Sequence, residues 1–295
     1  MLEIQEIECL ARRLDVDLRG EIIQGVRLAH WYEQRRGGSD QIVSLVGWTI
    51  TSVCRRGKAL VFSFENPGIG NRYLATRFGM SSNWCLLSQD RPKQTKSLVC
   101  EIALGVGYLT FQDKRRTAGF EVSGSMGELQ SISNYGPDLL GPIAPDWLWF
   151  CCRRHRVPVK ALLVRPEYFA GVGNSLACEA LFRANVHPET LGSELSQEQA
   201  SRLMAVLLRT IEAWVSAADH GDGDLFQVYG REAKPCYICA TPISKRKISG
   251  RACYFCSVCQ SPDWRPNDPV SQEFIEMVVQ FEREITHAPR PRGAF

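Results

Sequence analysis

The chain has 295 residues, of which 23% are charged and 44% are hydrophobic, and its formal net charge is +3. The length predicts two large domains, or one with small appendages, and the composition is ordinary for a soluble globular protein. A net charge this small gives no evidence for nucleic-acid binding, so any such evidence must come from local patches. The twelve cysteines show no disulfide framework, which predicts a reducing, cytoplasmic location. The first residues do not resemble a signal peptide, and no apolar run approaches a membrane span.

The first half of the chain changes from helical to strand patterning. Residues 3–19 carry apolar side chains at helical spacing, which predicts an amphipathic helix that ends at Gly20. Residues 42–125 then predict short strands at Gly47–Val53, Ala59–Phe64, Tyr73–Phe78, Trp84–Leu87, Leu98–Leu104 and Gly107–Gln112. Several short strands in succession favour a sandwich or a barrel.

The second half is mainly helical. A passage rich in proline and glycine at 134–145 is linker-like, and helical patterning follows from Asp146 to about Ala218. Residues 151–166 contain five lysines and arginines and no acid. Gly171-Val172-Gly173-Asn174 then enters a predicted helix, and the free N–H groups of a helix N-terminus can bind an anion. Alone, such a turn is more often only a corner between helices. A further amphipathic helix is predicted at Ser271–Ile285, followed by a disordered Pro289–Phe295.

Two CxxC pairs stand near the C-terminus. Cys236 and Cys239 are followed, after sixteen residues, by Cys256 and Cys259. This spacing is typical of a single structural zinc ion with four thiolate ligands, and the alternatives are unrelated cysteine pairs or a redox dithiol. Residues 229–260 also contain six basic residues against the single acid Glu232. A metal-stiffened basic hairpin suits a phosphate backbone, although a solvated basic turn has the same composition.

In this order, the motifs resemble the formamidopyrimidine-DNA glycosylase / endonuclease VIII family. The most specific are PVKALLVRPEYFAGVGNSLACEALFRANVHPE at 158–189 and VYGREAKPCYICATPISKRKISGRACYFCSVCQ at 228–260, which match its helix–two-turn–helix element and its zinc finger. CRRGKALVF at 54–62 is similar to its lysine-bearing hairpin, and RFGMSS at 77–82 and DKRRTAGF at 113–120 are similar to its gap-filling loops.

The resemblance implies an α+β protein whose lobes flank a basic DNA cleft. Its expected parts are an N-terminal β-sandwich with an N-terminal helix (1–135), a helix–two-turn–helix domain (146–228), a four-cysteine zinc finger (229–260) and a C-terminal extension (261–295). The expected function is base-excision repair of damaged or abasic-site duplex DNA by a monomeric glycosylase with one structural zinc, with the target base flipped out of the stack.

The resemblance also assigns site residues. The catalytic set is Leu2, Glu3, Glu6 and Lys58, with Lys58 near the phosphate of the lesion. Asn174 and Arg251 would hold phosphates, and the basic residues Lys160 and Arg116 would add DNA contacts. Met80 and Arg115 would enter the duplex.

Three departures from the family pattern bear on activity. The family begins Met-Pro-Glu-Leu-Pro-Glu, and its first proline is the nucleophile, whereas this chain begins Met-Leu-Glu-Ile-Gln-Glu. Any free α-amine could form a Schiff base, but Leu2 should hinder methionine removal, and a retained Met1 would displace the amine by up to about 3.5 Å. Thr117 replaces the phenylalanine of the intercalating loop, with Phe120 nearby. The segment between the Trp214 helix and Tyr229 is short, which puts 8-oxoguanine specificity in doubt.

Three hypotheses remain open. In the first, the protein is a glycosylase with AP-lyase activity that uses the α-amine of Leu2 or Met1 as nucleophile and Glu3 as general acid. Alternatively, it is a glycosylase without lyase activity, in which Glu3 assists a water, or it is a catalytically impaired protein that binds damaged or distorted DNA. Without the family, Glu3 is also explained as a first-turn acid that complements a helix dipole, and Lys58 as a solvated turn lysine.

Overall fold

The computed structural model describes residues 2–36, 39–88, 95–220 and 226–261, and the structural statements below concern these residues. The chain divides into two compact units, Met1–Tyr135 and Gly136–Phe295, called unit 1 and unit 2. Unit 1 is built mainly of strands and unit 2 mainly of helices, so the predicted α+β class is confirmed. None of the helices in the described ranges is long and apolar enough to cross a bilayer.

Unit 1 contains the predicted N-terminal helix and the six predicted strands, with two further strands. Its helices are α1 (Ile4–Leu18), α2 (His30–Arg36), α3 (Ser39–Val43) and α4 (Gln130–Ser133). Its strands are β1 (Gly25–Leu28), β2 (Thr49–Arg56), β3 (Ala59–Asn66), β4 (Gly70–Arg77), β5 (Ser82–Leu87), β6 (Leu98–Leu104), β7 (Gly107–Asp113) and β8 (Gly119–Ser123).

The strands form two antiparallel four-stranded sheets, in the orders β1-β6-β7-β5 and β2-β3-β4-β8. One apolar core lies between them. In β3, Leu60, Phe62 and Phe64 belong to this core, whereas Ala59 and Val61 belong to a smaller cluster on the other face. This follows from the two-residue period of a strand, and it confirms the predicted β-sandwich.

Unit 2 is organised around one buried helix. Its helices are α5 (Trp147–Arg154), α6 (Val159–Leu163), α7 (Asn174–Arg183) and α8 (Gln197–His220). Every residue of α7 after Asn174 is buried, so this helix is the centre of the unit. Strands β9 (Ser244–Ile248) and β10 (Arg251–Phe255) form the hairpin between the two cysteine pairs.

The passage at 134–145 is not a free linker, which corrects the prediction. The N–H of Gly136 donates to the carbonyl of Pro166, and the N–H of Ala170 donates to that of Pro137. A Cβ on Gly136 would lie 2.5 Å from the carbonyl oxygen of Glu167, so only glycine allows this approach. The Pro and Gly residues therefore shape a packed segment. The predicted helix Ser271–Ile285 and the tail Pro289–Phe295 lie outside the described residues.

Candidate active site and nucleic-acid interface

The predicted catalytic residues Glu3 and Lys58 meet in unit 1. Glu3 is the N-cap of α1, and its carboxylate accepts a hydrogen bond from Lys58 Nζ at 2.5 Å. Lys58 reaches this position because it occupies the two-residue turn between β2 and β3, after Gly57 with φ of 57°. Positive φ at the first turn residue is the usual reason for a glycine in such hairpins. The two side chains are 15% and 19% exposed, so solvent reaches the pair.

Glu6 belongs to the end of the helix rather than to the pair. Its carboxylate accepts the backbone N–H of Glu3 at 2.7 Å. Glu3 and Glu6 are thus the N-cap and N3 residues of a capping box, in which Glu replaces the usual Ser or Thr. The structure therefore gives Glu6 a structural role, which is to hold the backbone of Glu3 in place.

Two more acids fasten α1 along strand β2. Glu8 accepts a hydrogen bond from Arg55 at 2.8 Å, and the Arg55 side chain is only 4% exposed. Asp15 accepts the backbone N–H of Val53 at 2.7 Å. Burial raises the pKa of Asp15, but hydrogen bonds from Arg19 and Val53 outweigh burial, and the net effect lowers the pKa. Together with the Glu3–Lys58 pair, these contacts fix the helix N-terminus relative to the turn.

Leu2, which stands where the family has its proline, precedes the N-cap. Its side chain is partly buried and packs against the main core of unit 1, which includes Ile7. Leu2 and Ile7 are the N′ and N4 positions of α1, whose apolar residues often fix the direction of chain entry. Leu2 therefore anchors the backbone next to the Glu3–Lys58 pair.

Asp113 organises the two loops that carry Met80, Arg115 and Arg116. Its carboxylate is 1% exposed and accepts hydrogen bonds from Ser81 Oγ and from three backbone N–H groups, those of Arg115, Thr117 and Ala118. Burial raises the pKa of Asp113, but these hydrogen bonds outweigh burial and lower it. Hydrogen bonds to this one carboxylate therefore hold both loops in place.

The tips of these loops project into solvent. Met80 is 59% exposed, and its sulfur lies 3.1 Å from an Arg115 guanidinium nitrogen. Arg116 is exposed and lies over the ring of Trp31. Phe120 does not replace the aromatic ring that Thr117 lacks, since it is partly buried and packs against the core, with its ring centroid 4.9 Å from that of Phe111.

In unit 2, the predicted DNA-binding residues Lys160 and Asn174 both donate to one carbonyl group of the finger. Lys160 Nζ and Asn174 Nδ2 donate to the carbonyl oxygen of Ala252 at 2.9 and 2.8 Å. Lys160 was expected as a DNA-binding cation, but it is 1% exposed and holds strand β10 instead, because buried cations require a partner. Asn174 Oδ1 is buried and accepts no hydrogen bond from the described residues. The structure thus fixes the position of Arg251, which precedes Ala252.

Arg251 lies at the tip of the finger and is exposed. It pairs with Ile248 across a two-residue turn, Ser249-Gly250, whose φ values of 47° and 81° fit a type I′ turn. Among the basic residues of the finger, Lys245 and Arg246 pair with acids and Arg231 is buried. Within the described ranges, the finger cations without an ion pair are Lys234, Lys247 and Arg251.

The four cysteines fit a zinc ion. The sulfur atoms of Cys236, Cys239, Cys256 and Cys259 all lie within 4.8 Å of one another. The sulfur pairs 236–259, 239–256 and 239–259 are 3.9, 3.4 and 3.5 Å apart. Four sulfurs bonded to one ion at about 2.3 Å would stand about 3.8 Å apart, which agrees with these distances. The zinc finger predicted from the spacing is therefore supported by the geometry.

Comparison with known proteins identifies the family. The model of the formamidopyrimidine-DNA glycosylase N-terminal domain matches residues 1–120, and the model of the formamidopyrimidine-DNA glycosylase H2TH domain matches residues 136–223. A formamidopyrimidine-DNA glycosylase from Salmonella paratyphi B is 30% identical over 274 residues, covering 88% of this chain and 100% of the relative. The chain belongs to the formamidopyrimidine-DNA glycosylase family.

Solved structures agree with this assignment. The MutM (Fpg) protein of Thermus thermophilus superposes with a TM-score of 0.74 at 28% identity, over 88% of this chain and 98% of that chain. The wild-type Lactococcus lactis Fpg (MutM), in complex with a DNA containing N7-benzyl-Fapy-dG, has a TM-score of 0.78 at 25% identity, over 88% and 100%.

Sequence reasoning missed two acids that support this glycosylase-family site. Asp113 holds the loops of unit 1, and its position at the end of a strand and before a tight loop is typical of aspartates that bind nearby backbone N–H groups. Glu179, completely buried in α7, accepts the backbone N–H groups of residues 227–229, which lead into the finger. Its position as the one carboxylate of α7, between the apolar residues Cys178 and Ala180, could have indicated such a role.

Proposed function

We propose that this protein is a base-excision DNA glycosylase that binds damaged duplex DNA and hydrolyses the N-glycosidic bond of a flipped-out base. The observation that carries the proposal is the Glu3–Lys58 pair, 2.5 Å apart and partly exposed beside Leu2. It places a carboxylate, an ammonium group and the N-terminal end of the chain together on unit 1. Family membership supports the same reaction class.

Lys58 serves two partners in this proposal. A lysine ammonium has three N–H donors, and one of them is used by Glu3. The remaining donors are available to a DNA phosphate beside the lesion. Lys58 would thereby couple phosphate binding to the orientation of the Glu3 carboxylate.

Glu3 supplies the proton chemistry. In hydrolysis, a water attacks C1′ of the sugar while the bond to the base breaks, and a carboxylate within hydrogen-bond reach can accept the proton of that water. The base leaves with the bonding electron pair and takes up a proton from the surrounding water, to which Glu3 later returns its own, so that one water is consumed overall. The Glu6 contact to the backbone N–H of Glu3 keeps the carboxylate at the helix N-terminus.

An AP-lyase step is a further part of the proposal. A free α-amine has a pKa of about 7.7–8.0, so roughly a tenth or more of it is neutral near pH 7. The neutral amine can attack the C1′ aldehyde of the abasic sugar and form a Schiff base with loss of water, and β-elimination then breaks the C3′–O bond and releases the phosphate. Leu2 packs against the core of unit 1 and directly precedes Glu3, whose carboxylate pairs with Lys58. The amine of Leu2, or that of a retained Met1, would be the nucleophile.

In this proposal, unit 2 provides contacts to the DNA phosphates. Arg251 is exposed beside the carbonyl that Lys160 and Asn174 hold, and α7 begins at Asn174 with its N-terminal N–H groups. Exposed guanidinium groups and helix N-termini are both suited to phosphate. With the zinc bound, the hairpin would keep Arg251 in a fixed position. We further propose that the protein is monomeric, intracellular and DNA-associated.

The test uses duplexes that contain an oxidised or ring-opened purine or an abasic site. Base release, strand cleavage and borohydride trapping are measured together, with the intact mass of the N-terminus. Base release with a trapped adduct at the terminal amine supports the glycosylase with lyase activity. Base release without an adduct supports hydrolysis assisted by Glu3 and refutes the lyase step.

Matched variants separate chemistry from binding. Glu3→Gln should slow base release by at least about 100-fold while abasic-duplex affinity stays within about threefold, since the unit 2 contacts are unchanged. Glu65→Gln, at an exposed carboxylate of β3, is the control and should behave as wild type. Preferential binding of damaged duplex without base release by the wild type would instead identify a damaged-DNA-binding protein.

A further inference from the structure

Two buried cysteines outside the zinc site lie against each other in unit 2. Cys178 belongs to α7 and Cys253 belongs to β10, and their sulfur atoms are 3.9 Å apart. The two residues are 1% and 0% exposed. Neither is a member of the four-sulfur cluster, and neither takes part in the proposed glycosylase chemistry. The pair therefore joins the central helix of unit 2 directly to a strand of the finger.

The fold holds these two cysteines together through neighbouring contacts. Asn174, the first residue of α7, donates to the carbonyl oxygen of Ala252 at 2.8 Å, and Lys160 donates to the same oxygen at 2.9 Å. Cys178 lies one turn after Asn174 on the same side of the helix, and Cys253 directly follows Ala252. Two successive residues of β10 therefore contact one face of α7, so the two sulfurs belong to a fixed contact between these elements.

The separation of the sulfurs suits the formation of a disulfide. An S–S bond is about 2.0 Å long, so each sulfur would have to move by about 1 Å, which a rotation about the Cα–Cβ bond can supply. The two cysteines are 75 positions apart in the chain. A bond between them would close a long loop, and closing a long loop restricts the unfolded chain strongly. A disulfide here would therefore stabilise the attachment of β10 to α7.

The surroundings favour a thiolate at Cys178. Its hydrogen bond with Cys253 and the ammonium group of Lys160 lower the pKa of Cys178, and together they outweigh burial, which raises it. The thiolate is the form of cysteine that reacts with oxidants. Because both sulfurs are buried, an oxidant that reaches them has to be small and uncharged, which hydrogen peroxide is and glutathione disulfide is not.

We propose that Cys178 and Cys253 are a redox modification site, at which hydrogen peroxide forms an intramolecular disulfide that ties the finger to α7. The thiolate of Cys178 attacks one peroxide oxygen and the O–O bond breaks, which gives a sulfenic acid and a hydroxide that takes up a proton to become water. The sulfur of Cys253 then attacks the sulfenic sulfur, and the sulfenic hydroxyl leaves with the Cys253 proton as a second water. Two thiols are oxidised and one peroxide is reduced to two waters.

The modification uses no zinc ligand and does not depend on the proposed function. In the reducing conditions that the cysteine content predicts, both residues remain thiols, and the disulfide forms only when peroxide is present. Arg251 lies two residues before Cys253, so the bond would add a covalent restraint beside the hydrogen bonds that already hold this strand.

The test treats the zinc-loaded full chain with hydrogen peroxide and then alkylates the remaining thiols under denaturing conditions without a reductant. Peptide mapping should find Cys178 joined to Cys253, and the intact mass before alkylation should fall by the mass of two hydrogens. Elemental analysis should show that the zinc is retained. The oxidised protein should unfold at a temperature higher by about 5 °C or more, and dithiothreitol should reverse this rise.

Two variants serve as matched controls. Cys253→Ser should form no disulfide at Cys178, whereas Cys85→Ser, at an exposed thiol of β5, should form the disulfide as wild type does. The wild-type peptide map identifies the pairing by itself, so the result does not depend on the folding of Cys253→Ser. Alkylation of both Cys178 and Cys253 after peroxide treatment, or pairing of either with another cysteine, would overturn the modification site. A disulfide that leaves the unfolding temperature unchanged would overturn the tie between the finger and α7.

Discussion

Replacing Asp113 by asparagine tests how the interfacial loops of unit 1 are held. Its Oδ2 accepts the N–H groups of Thr117 and Ala118 at 2.6 and 2.8 Å, and its Oδ1 accepts the N–H of Arg115 and the hydroxyl of Ser81 at 3.1 and 3.0 Å. In asparagine one oxygen becomes an NH₂ group. At the Oδ2 position this group faces two N–H donors, whereas at the Oδ1 position it faces the N–H of Arg115 and a Ser81 hydroxyl that can turn to accept from it. The second orientation loses one hydrogen bond to a charged acceptor outright, and the missing charge weakens the others, so the expected loss is about 1.5 to 3 kcal/mol at pH 7.

The hydrogen bonds of Asp113 also predict how the stability difference between wild type and Asp113→Asn depends on pH. The unfolded pKa of an aspartate is about 3.9, and hydrogen bonding lowers the folded pKa of Asp113 below it. A lowered pKa contributes stability that is complete above the unfolded pKa and is lost as the pH falls through the folded pKa. The stability gap between wild type and Asp113→Asn should therefore be constant from pH 7 to about pH 5 and narrow below about pH 4.

Urea unfolding followed by tryptophan fluorescence measures this gap at each pH. Asp146→Asn is the control, because Asp146 is an exposed carboxylate whose side chain caps no N–H group. It should change the free energy of unfolding by less than about 0.5 kcal/mol. An Asp113→Asn variant as stable as wild type at pH 7, or a gap that does not narrow in acid, would refute the assigned hydrogen bonding.

Three more predictions follow from individual contacts. Cys256→Ser should lose the bound zinc and unfold the finger, whereas Cys85→Ser, at an exposed non-ligand thiol, should keep full zinc content by elemental analysis. Arg251→Ala should weaken binding to all DNA sequences and reduce the slope of log K against log salt by about 1; an unchanged slope would exclude a phosphate contact. Gly79→Ala should destabilise the protein by about 1–3 kcal/mol, because a Cβ there would lie 2.2 Å from Thr117 Oγ1; adding Thr117→Ala should recover part of the loss in urea unfolding.

The sequence predicted the strands whose side chains alternate clearly, and it missed those that do not. Strand β6 has the predicted bounds, Leu98–Leu104. Strand β8 was missed because its five residues are all half-buried, so no alternation marks it. The short β1 and the helices α2 and α3 lack sufficient length for a periodic pattern to stand out.

Long-range contacts explain where the site differed from expectation. Lys160 was expected at the surface because most lysines are exposed, but it meets a carbonyl 92 positions later in the chain. The partnership of Glu3 with Lys58 joins a helix N-cap to a hairpin turn 55 positions away. Periodicity along the chain carries no information about such pairings, whereas the CxxC spacing is local and predicted the metal site directly.

Single-turnover base release by the wild type and by Glu3→Gln, on one duplex with an oxidised or ring-opened purine, tests the central claim most directly. The wild type should release the base, and Glu3→Gln should be at least about 100-fold slower with affinity unchanged. Equal rates for the two proteins would contradict a catalytic role for the Glu3–Lys58 pair. Absence of base release by the wild type would contradict the glycosylase itself.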